Sequence, residues 1–127
     1  MEFKRFLCII LIVLMLFLLG CDKDDSKGSA SVQSREYIGG VAGMDYSGWT
    51  NDVVKLKNNV TLFRNTEYGL TAVCTAVNDK ELKVKFSYPV YCETIDMNND
   101  VFTLEKARTY EFATGSMSGV EVKIRYR

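Results

Sequence analysis

The amino-acid sequence predicts an all-β fold, a small antiparallel β-sandwich or barrel of about seven to nine strands. Two observations support this prediction. From Asp52 onward, short segments that alternate apolar and polar residues follow one another, with turn residues roughly every 8 to 12 positions. In addition, no window of usable length shows the i, i+3, i+4, i+7 spacing of an amphipathic helix.

The chain begins with a pattern typical of a secretory signal. Lys4 and Arg5 form a short positive region, and an unbroken apolar run of 14 residues follows from Phe6 to Leu19. Because a helix needs roughly 20 apolar residues to cross a bilayer, this run is short for a spanning anchor. We therefore predict a signal peptide over residues 1–20.

The end of this segment, Leu18-Leu19-Gly20-Cys21, resembles the lipobox of bacterial lipoproteins, although Ser or Ala is commoner than leucine at position 19. The resemblance implies cleavage before Cys21, which would then carry a diacylglyceryl group and an amide-linked fatty acid such as palmitate. Two or more acyl chains anchor a protein stably without spanning the membrane. The alternative is an ordinary signal peptide or membrane helix that happens to end in a cysteine.

The residues after Cys21 predict a flexible tether over residues 21–34. They are rich in Ser, Gly, Lys and Asp, and a coil of this length reaches roughly 20 Å. Within it, Lys23-Asp24-Asp25 resembles the signal that exports lipoproteins of Bacteroidota to the outer face of the outer membrane. Asp22 resembles the inner-membrane retention signal of enteric bacteria. We expect a lipid-anchored outer-membrane protein at the cell surface, with a periplasm-facing anchor as the alternative.

Residues 35–127 are predicted to form one domain with a single core. Of the 16 basic and 16 acidic residues, only Lys4, Arg5 and Glu2 belong to the predicted signal, so the mature chain stays near neutral. Together with a pI of 6.3, this balance argues against nucleic acid as a partner. The chain has no histidine, which excludes Ser-His-Asp and Cys-His hydrolase designs, and no cofactor is predicted.

The first part of the domain, Arg35 to Trp49, holds four of the nine glycines. This density predicts bends or bulges with aromatic side chains packed around them, and Trp49 is expected to close one end of the core. Next, Val53–Lys57 and Val60–Arg64 flank Asn58-Asn59, which predicts a tight hairpin.

Two further segments, Leu70–Val77 and Glu81–Phe86, are predicted as strands joined by a turn at 78–80, with Leu82, Val84 and Phe86 facing inward. Pro89 predicts that the following segment lies at a sheet edge or restarts after a break. Counting by twos places Tyr88, Val90 and Cys92 inward.

Cys74 and Cys92 remain as an even pair once Cys8 leaves with the signal and Cys21 is lipidated. Both are expected to point into the core. We predict a disulfide between them, worth about 3 kcal/mol in the loop-entropy model. Two buried free thiols are the alternative.

The polar run Asp96-Met-Asn-Asn-Asp100 matches three ligand positions of an EF-hand loop but has Val101 where glycine is required, so we interpret it as a turn and predict no metal site. Further strands are predicted at Val101–Leu104 and Thr109–Phe112. The last strand, Val120–Tyr126, alternates most clearly, with charged residues outward that would discourage pairing at a sheet edge.

The scattered carboxylates show no spacing that singles out an acid and base pair, so we predict a non-enzyme and rank a carboxylate-based hydrolase lower. These carboxylates are Glu67, Glu93, Asp96, Glu105 and Glu111. The first hypothesis is a membrane-anchored binding module for an unknown protein or glycan. The alternative is an inhibitor or immunity protein that neutralises a hydrolase or toxin in the cell envelope. The candidate binding residues are Tyr37, Tyr46, Trp49, Tyr68, Tyr88 and Tyr91.

Overall fold

The computed structural model describes residues 27–127, and every regular element in this range is a β-strand. The nine strands are β1 (Ser29–Gly40), β2 (Gly43–Tyr46), β3 (Thr50–Lys55), β4 (Thr61–Asn65), β5 (Leu70–Val77), β6 (Glu81–Cys92), β7 (Met97–Glu105), β8 (Thr109–Ala113) and β9 (Ser118–Tyr126). The predicted all-β class and strand number are confirmed. The predicted signal peptide, lipobox and export signal lie outside the described residues. Within 27–127, no helix is long and apolar enough to cross a membrane.

The strands form one continuous antiparallel sheet that curls into a half-barrel. Its order is β2-β1-β9-β8-β6-β5-β4, with β3 also paired to β1 and β7 also paired to β6. β1 pairs with β9 from Ala30↔Tyr126 to Ile38↔Ser118. Its other edge pairs first with β3 and then with β2. Three residues between β2 and β3, 47–49, oppose only two on β1, so the predicted irregularity of this segment includes a β-bulge.

β6 connects the two halves of the curled sheet. β7 occupies one edge of β6, and the other edge is shared by β5, along residues 82–86, and β8, at residues 91 and 92. Pro89 falls between these two ladders, where the register with β7 also shifts. The predicted edge position is wrong, because β6 is an interior strand that runs on through Pro89. The missing N–H removes no ladder hydrogen bond, because the ladders on both edges are interrupted there.

A single core lies between the inward faces, and the predicted inward positions are confirmed. Phe86, Phe102 and Phe112 pack together near its centre, with ring centroids 4.8–5.9 Å apart. The other buried residues that the alternation had placed inward are Leu82, Val84, Val90, Val120, Val122, Ile124 and Tyr126. Tyr88 packs against the core while remaining partly exposed.

The predicted tether is wrong for residues 29–34, which form the first half of β1. Ala30 and Val32 are buried, and the backbone of this segment pairs with both β3 and β9. The alternation was hard to see because its inward residues are small and its outward residues are the Ser and Gln typical of linkers. The folded part therefore extends back at least to Lys27, whose N–H donates to the Leu56 carbonyl over 2.7 Å.

The predicted hairpin at Asn58-Asn59 is also wrong, although the chain does turn there. β3 pairs with β1 and β4 pairs with β5, so the two strands that flank the turn are not partners. Asn59 has a φ of 69°, whereas Asn58 does not share this left-handed conformation. A two-residue type I′ hairpin requires positive φ at both positions. Instead, the Asn59 N–H donates to the Cys74 carbonyl of β5 over 2.7 Å.

The predicted disulfide is wrong: Cys74 and Cys92 are both buried free thiols. The predicted inward orientation of both is correct, but their positions along the sheet are far apart. Cys74 lies opposite Val84 on β6, and Cys92 is eight residues farther along that strand, about 26 Å for extended chain. A disulfide requires Cα atoms within roughly 7 Å, and sequence parity carries no information on this distance.

β9 is an interior strand, so its outward charges do not protect an edge. They pair with neighbouring strands instead. Arg35 Nε lies 2.8 Å from a carboxylate oxygen of Glu121, and Lys123 Nζ lies 3.5 Å from one of Glu111. These cross-strand pairs form the outer surface from which the candidate site is built.

Candidate functional site

The structure divides the six predicted binding aromatics between the core and the surface. Tyr37 is buried, and its hydroxyl lies 3.1 Å from that of Thr114. Tyr68 and Tyr88 pack against the core, where the Tyr88 hydroxyl donates to the Tyr68 carbonyl over 2.9 Å. The other three, Tyr46, Trp49 and Tyr91, reach the outer surface.

Trp49 does not close the core as predicted; it lies half-buried on the outer face of β1 and β9. The Arg35 guanidinium lies 4.4 Å from the centre of the Trp49 ring and 3.9 Å from that of Tyr46. Lys123 Nζ also lies 4.4 Å from the Trp49 ring. The bulge at 47–49 places Trp49 beside two outward side chains, and such cation–π contacts contribute about 0.5–1 kcal/mol each at exposed sites. We call Arg35, Tyr46, Trp49 and Lys123 the outer aromatic cluster.

The two cations of this cluster also contact the carboxylates of Glu121 and Glu111, so the cluster carries little net charge. A depression beside it, lined by Trp49 and Tyr91 among others, holds only about 40 Å³, room for a water molecule and not for a substrate. Tyr91 donates a hydrogen bond to Asp96, which raises the pKa of the Tyr91 phenol. The cluster is therefore a nearly flat polar and aromatic surface.

The end of the β1–β2 hairpin exposes a group of apolar side chains, which we call the apolar tip. Its members are Ile38, Val41 and Met44 of the hairpin and Met117 of the turn before β9. Val41 is fully exposed and Met117 is 76% exposed. The Gly39 N–H donates to the Met117 carbonyl over 2.6 Å, which joins the hairpin to the turn. A Cβ on Gly39 would lie 2.6 Å from that oxygen, so this contact requires glycine.

A groove of about 630 Å³ opens between β1 and β3 on one side and β4 on the other. Asn65 Nδ2 donates to a Glu36 carboxylate oxygen across it over 3.0 Å. Asp52 also lines the groove and pairs with Val32, four residues from Glu36 on the same face of β1. This spacing corresponds to about 13 Å along the strand, whereas the carboxyl groups of inverting glycosidases lie roughly 6.5–9.5 Å apart.

No protein-family model matches this chain, and no curated protein or solved structure is significantly similar to it. The function is therefore inferred from the site itself.

The carboxylates that the sequence offered for catalysis do not line the groove. In the part of the chain from Lys27 on, no three potential ligands among Cys, Asp and Glu converge on a metal position. The Asp96 segment forms a turn, with φ of 49° at Asp96, and then the start of β7.

Sequence reasoning missed the apolar tip and the two cations that lie over Trp49. The tip was hidden because its apolar residues are separated by glycines and follow neither the strand nor the helix period. Lys123 had been placed correctly on the outward face of the last strand. Its contact with Trp49 depends on the pairing of β9 with β1, which joins residues far apart in the sequence.

Proposed function

We propose that this protein is a lipid-anchored, non-catalytic binding module and that the apolar tip binds a protein partner. The observation that carries the proposal is the exposure of Ile38, Val41, Met44 and Met117 together at one end of the domain. Contiguous apolar surface of this kind marks interaction sites on soluble domains. The tip also continues into Tyr46 and Arg35, and Met, Tyr and Arg are enriched at protein interfaces.

The position of the tip supports this role. From the first described residues near Lys27, β1 runs for 12 residues, about 40 Å of extended chain, to the tip. If Cys21 carries lipid as the lipobox resemblance implies, the tip lies at the end of the domain opposite the anchor. A partner would meet this end first.

The absence of histidine and the separation of Glu36 from Asp52 support a non-catalytic role. In addition, the Glu36 carboxylate already accepts a hydrogen bond from the Asn65 side chain. The groove therefore offers no paired acid and base for hydrolysis.

Site-specific crosslinking in intact cells tests the proposal. A photo-reactive amino acid replaces Val41 at the tip or, as the control, Thr103 on the exposed face of β7. We expect Val41 to give a discrete high-mass adduct that is lost when Met44→Ser and Met117→Ser are added. Equal adducts from both positions, or none from Val41, would contradict the proposal.

The proposed location at the cell surface is tested separately by protease digestion of intact cells. We expect the wild type to be digested from outside, Lys23-Asp24-Asp25→Ala-Ala-Ala to be protected, and Cys21→Ser to leave the membrane. Protection of the wild type would instead place the domain on the periplasmic side.

The projecting shape of the hairpin also favours a second candidate, an inhibitor or immunity protein for an envelope hydrolase or toxin. A narrow apolar hairpin fits a concave site, whereas a flat surface does not. In this case the Val41 adduct would contain a hydrolase or toxin, and adding the protein would inhibit its activity. The Met44→Ser and Met117→Ser variant should lose that inhibition.

A further inference from the structure

We infer that the end of the domain opposite the apolar tip docks onto anionic lipid headgroups of the membrane that carries the anchor. This inference rests on the proposed lipidation of Cys21 and adds that the anchored domain is oriented with this end toward the membrane. The surface concerned, here called the basic end, surrounds Tyr126. Its cations are Lys27, Lys55, Lys57, Lys80, Lys106, Arg108 and Arg127.

Hydrogen bonds hold three of these cations around the buried Tyr126. The Tyr126 hydroxyl lies 3.0 Å from the Lys27 carbonyl and 2.7 Å from that of Asn78, close to Lys80. Lys106 Nζ lies 5.1 Å from the centre of the Tyr126 ring, and the Lys106 N–H donates to the Lys80 carbonyl over 2.9 Å. The side chains of Lys27, Lys80 and Lys106 are all exposed.

Backbone pairing brings three other cations to the same end. Lys55 lies opposite Ser29 in the ladder, and Lys57 follows Leu56, which bonds to the backbone of Lys27 and Gly28. The Arg127 N–H donates to the Ser29 carbonyl over 2.9 Å.

Arg108 belongs to the same surface through the link between β7 and β8. In that link, the N–H of the preceding residue, Ala107, donates to the Tyr126 carbonyl over 2.7 Å. The basic end is thus held in place by backbone hydrogen bonds that join residues near both ends of the described part of the chain.

The charge of the domain is distributed unevenly along β1. Among the described residues of the basic end, the seven cations stand against three carboxylates, those of Asp79, Glu81 and Glu105, and Glu105 lies 4.0 Å from Arg108. Residues 22–25 add three carboxylates and one lysine, which lowers the positive excess from four to two. An α-carboxylate at Arg127 would lower the positive excess by one without reversing its sign. Toward the tip, residues 36–46 and 111–121 contain four carboxylates and no Lys or Arg. Two of these carboxylates, Glu121 and Glu111, pair with Arg35 and Lys123, so this end keeps a smaller negative excess from Glu36 and Asp45. Only the basic end complements an anionic surface.

The proposed lipid anchor places this end beside one particular polyanion, the surface of the membrane. Six peptide steps separate Cys21 from Lys27, so their Cα atoms lie at most about 22 Å apart in any conformation. Electrostatic attraction to a charged membrane extends over a Debye length of about 8 Å in physiological salt. The anchor therefore confines the basic end to a region that includes the range over which headgroups attract it.

The test uses the full acylated chain, inserted into vesicles of phosphatidylcholine alone or with phosphatidylglycerol. A membrane-impermeant amine reagent is added, and the labelled lysines are mapped by mass spectrometry. We expect Lys57, Lys80 and Lys106 to react several-fold more slowly on the anionic vesicles, and Lys85, on the outward face of β6, to react equally on both. High salt should remove the difference.

Matched variants check that charge causes the protection. Lys80→Gln with Lys106→Gln should weaken docking by about five-fold per cation, seen as faster labelling of Lys57. Lys83→Gln with Lys85→Gln removes the same charge from the outward face of β6 and should leave Lys57 protected. Equal labelling on both kinds of vesicle, or equal protection on both, would overturn the inference.

The intact mass of the mature chain separates the two ways in which this idea can fail. A mature chain without acyl groups would refute the proposed lipid anchor. An acylated chain that shows no anion-dependent protection would refute the docking alone.

Discussion

Replacing Val32 with alanine tests whether residues 29–34 belong to the folded domain. Val32 is 3% exposed and lies opposite Ile124 in the β1–β9 ladder. The change removes two methyl groups, about 1.6 kcal/mol of transfer free energy, and the resulting cavity adds about 1 kcal/mol. We expect the free energy of unfolding to fall by about 2–3 kcal/mol, a large part of the roughly 5–15 kcal/mol that stabilises a typical domain.

Urea unfolding of the purified mature chain, followed by far-ultraviolet circular dichroism, measures this loss. Ser31→Ala is the matched control, because Ser31 is the neighbouring outward residue of the same strand. The control should change the free energy of unfolding by less than about 0.5 kcal/mol. If Val32→Ala changed the free energy of unfolding as little as the control does, residues 29–34 would be a flexible tether and the assignment of β1 would be refuted.

Four further predictions concern the two thiols, alkaline pH, Tyr126 and Arg35. Cys74 and Cys92 should react with a thiol reagent only after unfolding, and a reductant should leave the melting temperature unchanged; a drop would indicate a disulfide. Burial raises the pKa of the Cys74 thiol and the Tyr126 phenol, so the unfolded chain loses these protons first. Stability should therefore fall as the pH rises above about 9, and a urea midpoint that stays constant to about pH 10.5 would contradict this. Tyr126→Phe should lower the free energy of unfolding by about 1–2 kcal/mol, which corresponds to a drop of at least about 4 °C in melting temperature. Arg35→Ala should lower the free energy of unfolding by about 1 kcal/mol and make Trp49 fluorescence easier to quench with acrylamide.

The sequence predicted the fold class and the direction of most side chains because alternation is a local property. Val120 to Tyr126 and Leu82 to Phe86 show their inward residues without any knowledge of their partners. Pairing is not local, and this explains the failed predictions. The turn at Asn59 was visible, but the separate partners of β3 and β4 were not.

The candidate site depended even more on pairing. Trp49 was visible as an unusual residue, yet its two cationic neighbours come from β1 and β9, which only the sheet brings together. The basic end likewise collects lysines from four separate parts of the chain. The overall composition is neutral because the positive charge of the basic end and the negative charge of the carboxylates toward the tip cancel.

The pairing of β1 with β9 also affects when the protein can fold. β1 needs residues 118–126 as its partner along one edge, and these are synthesised 80 to 96 positions after the residues that they pair with. A chain still emerging from the ribosome lacks that partner, so β1 and β8 have no strand between them and the core stays open. Folding rates also fall as contacts become more distant in sequence. The core therefore cannot close until residues 118–126 have been made, which would keep the chain unfolded for transport across a membrane if the predicted signal directs its export.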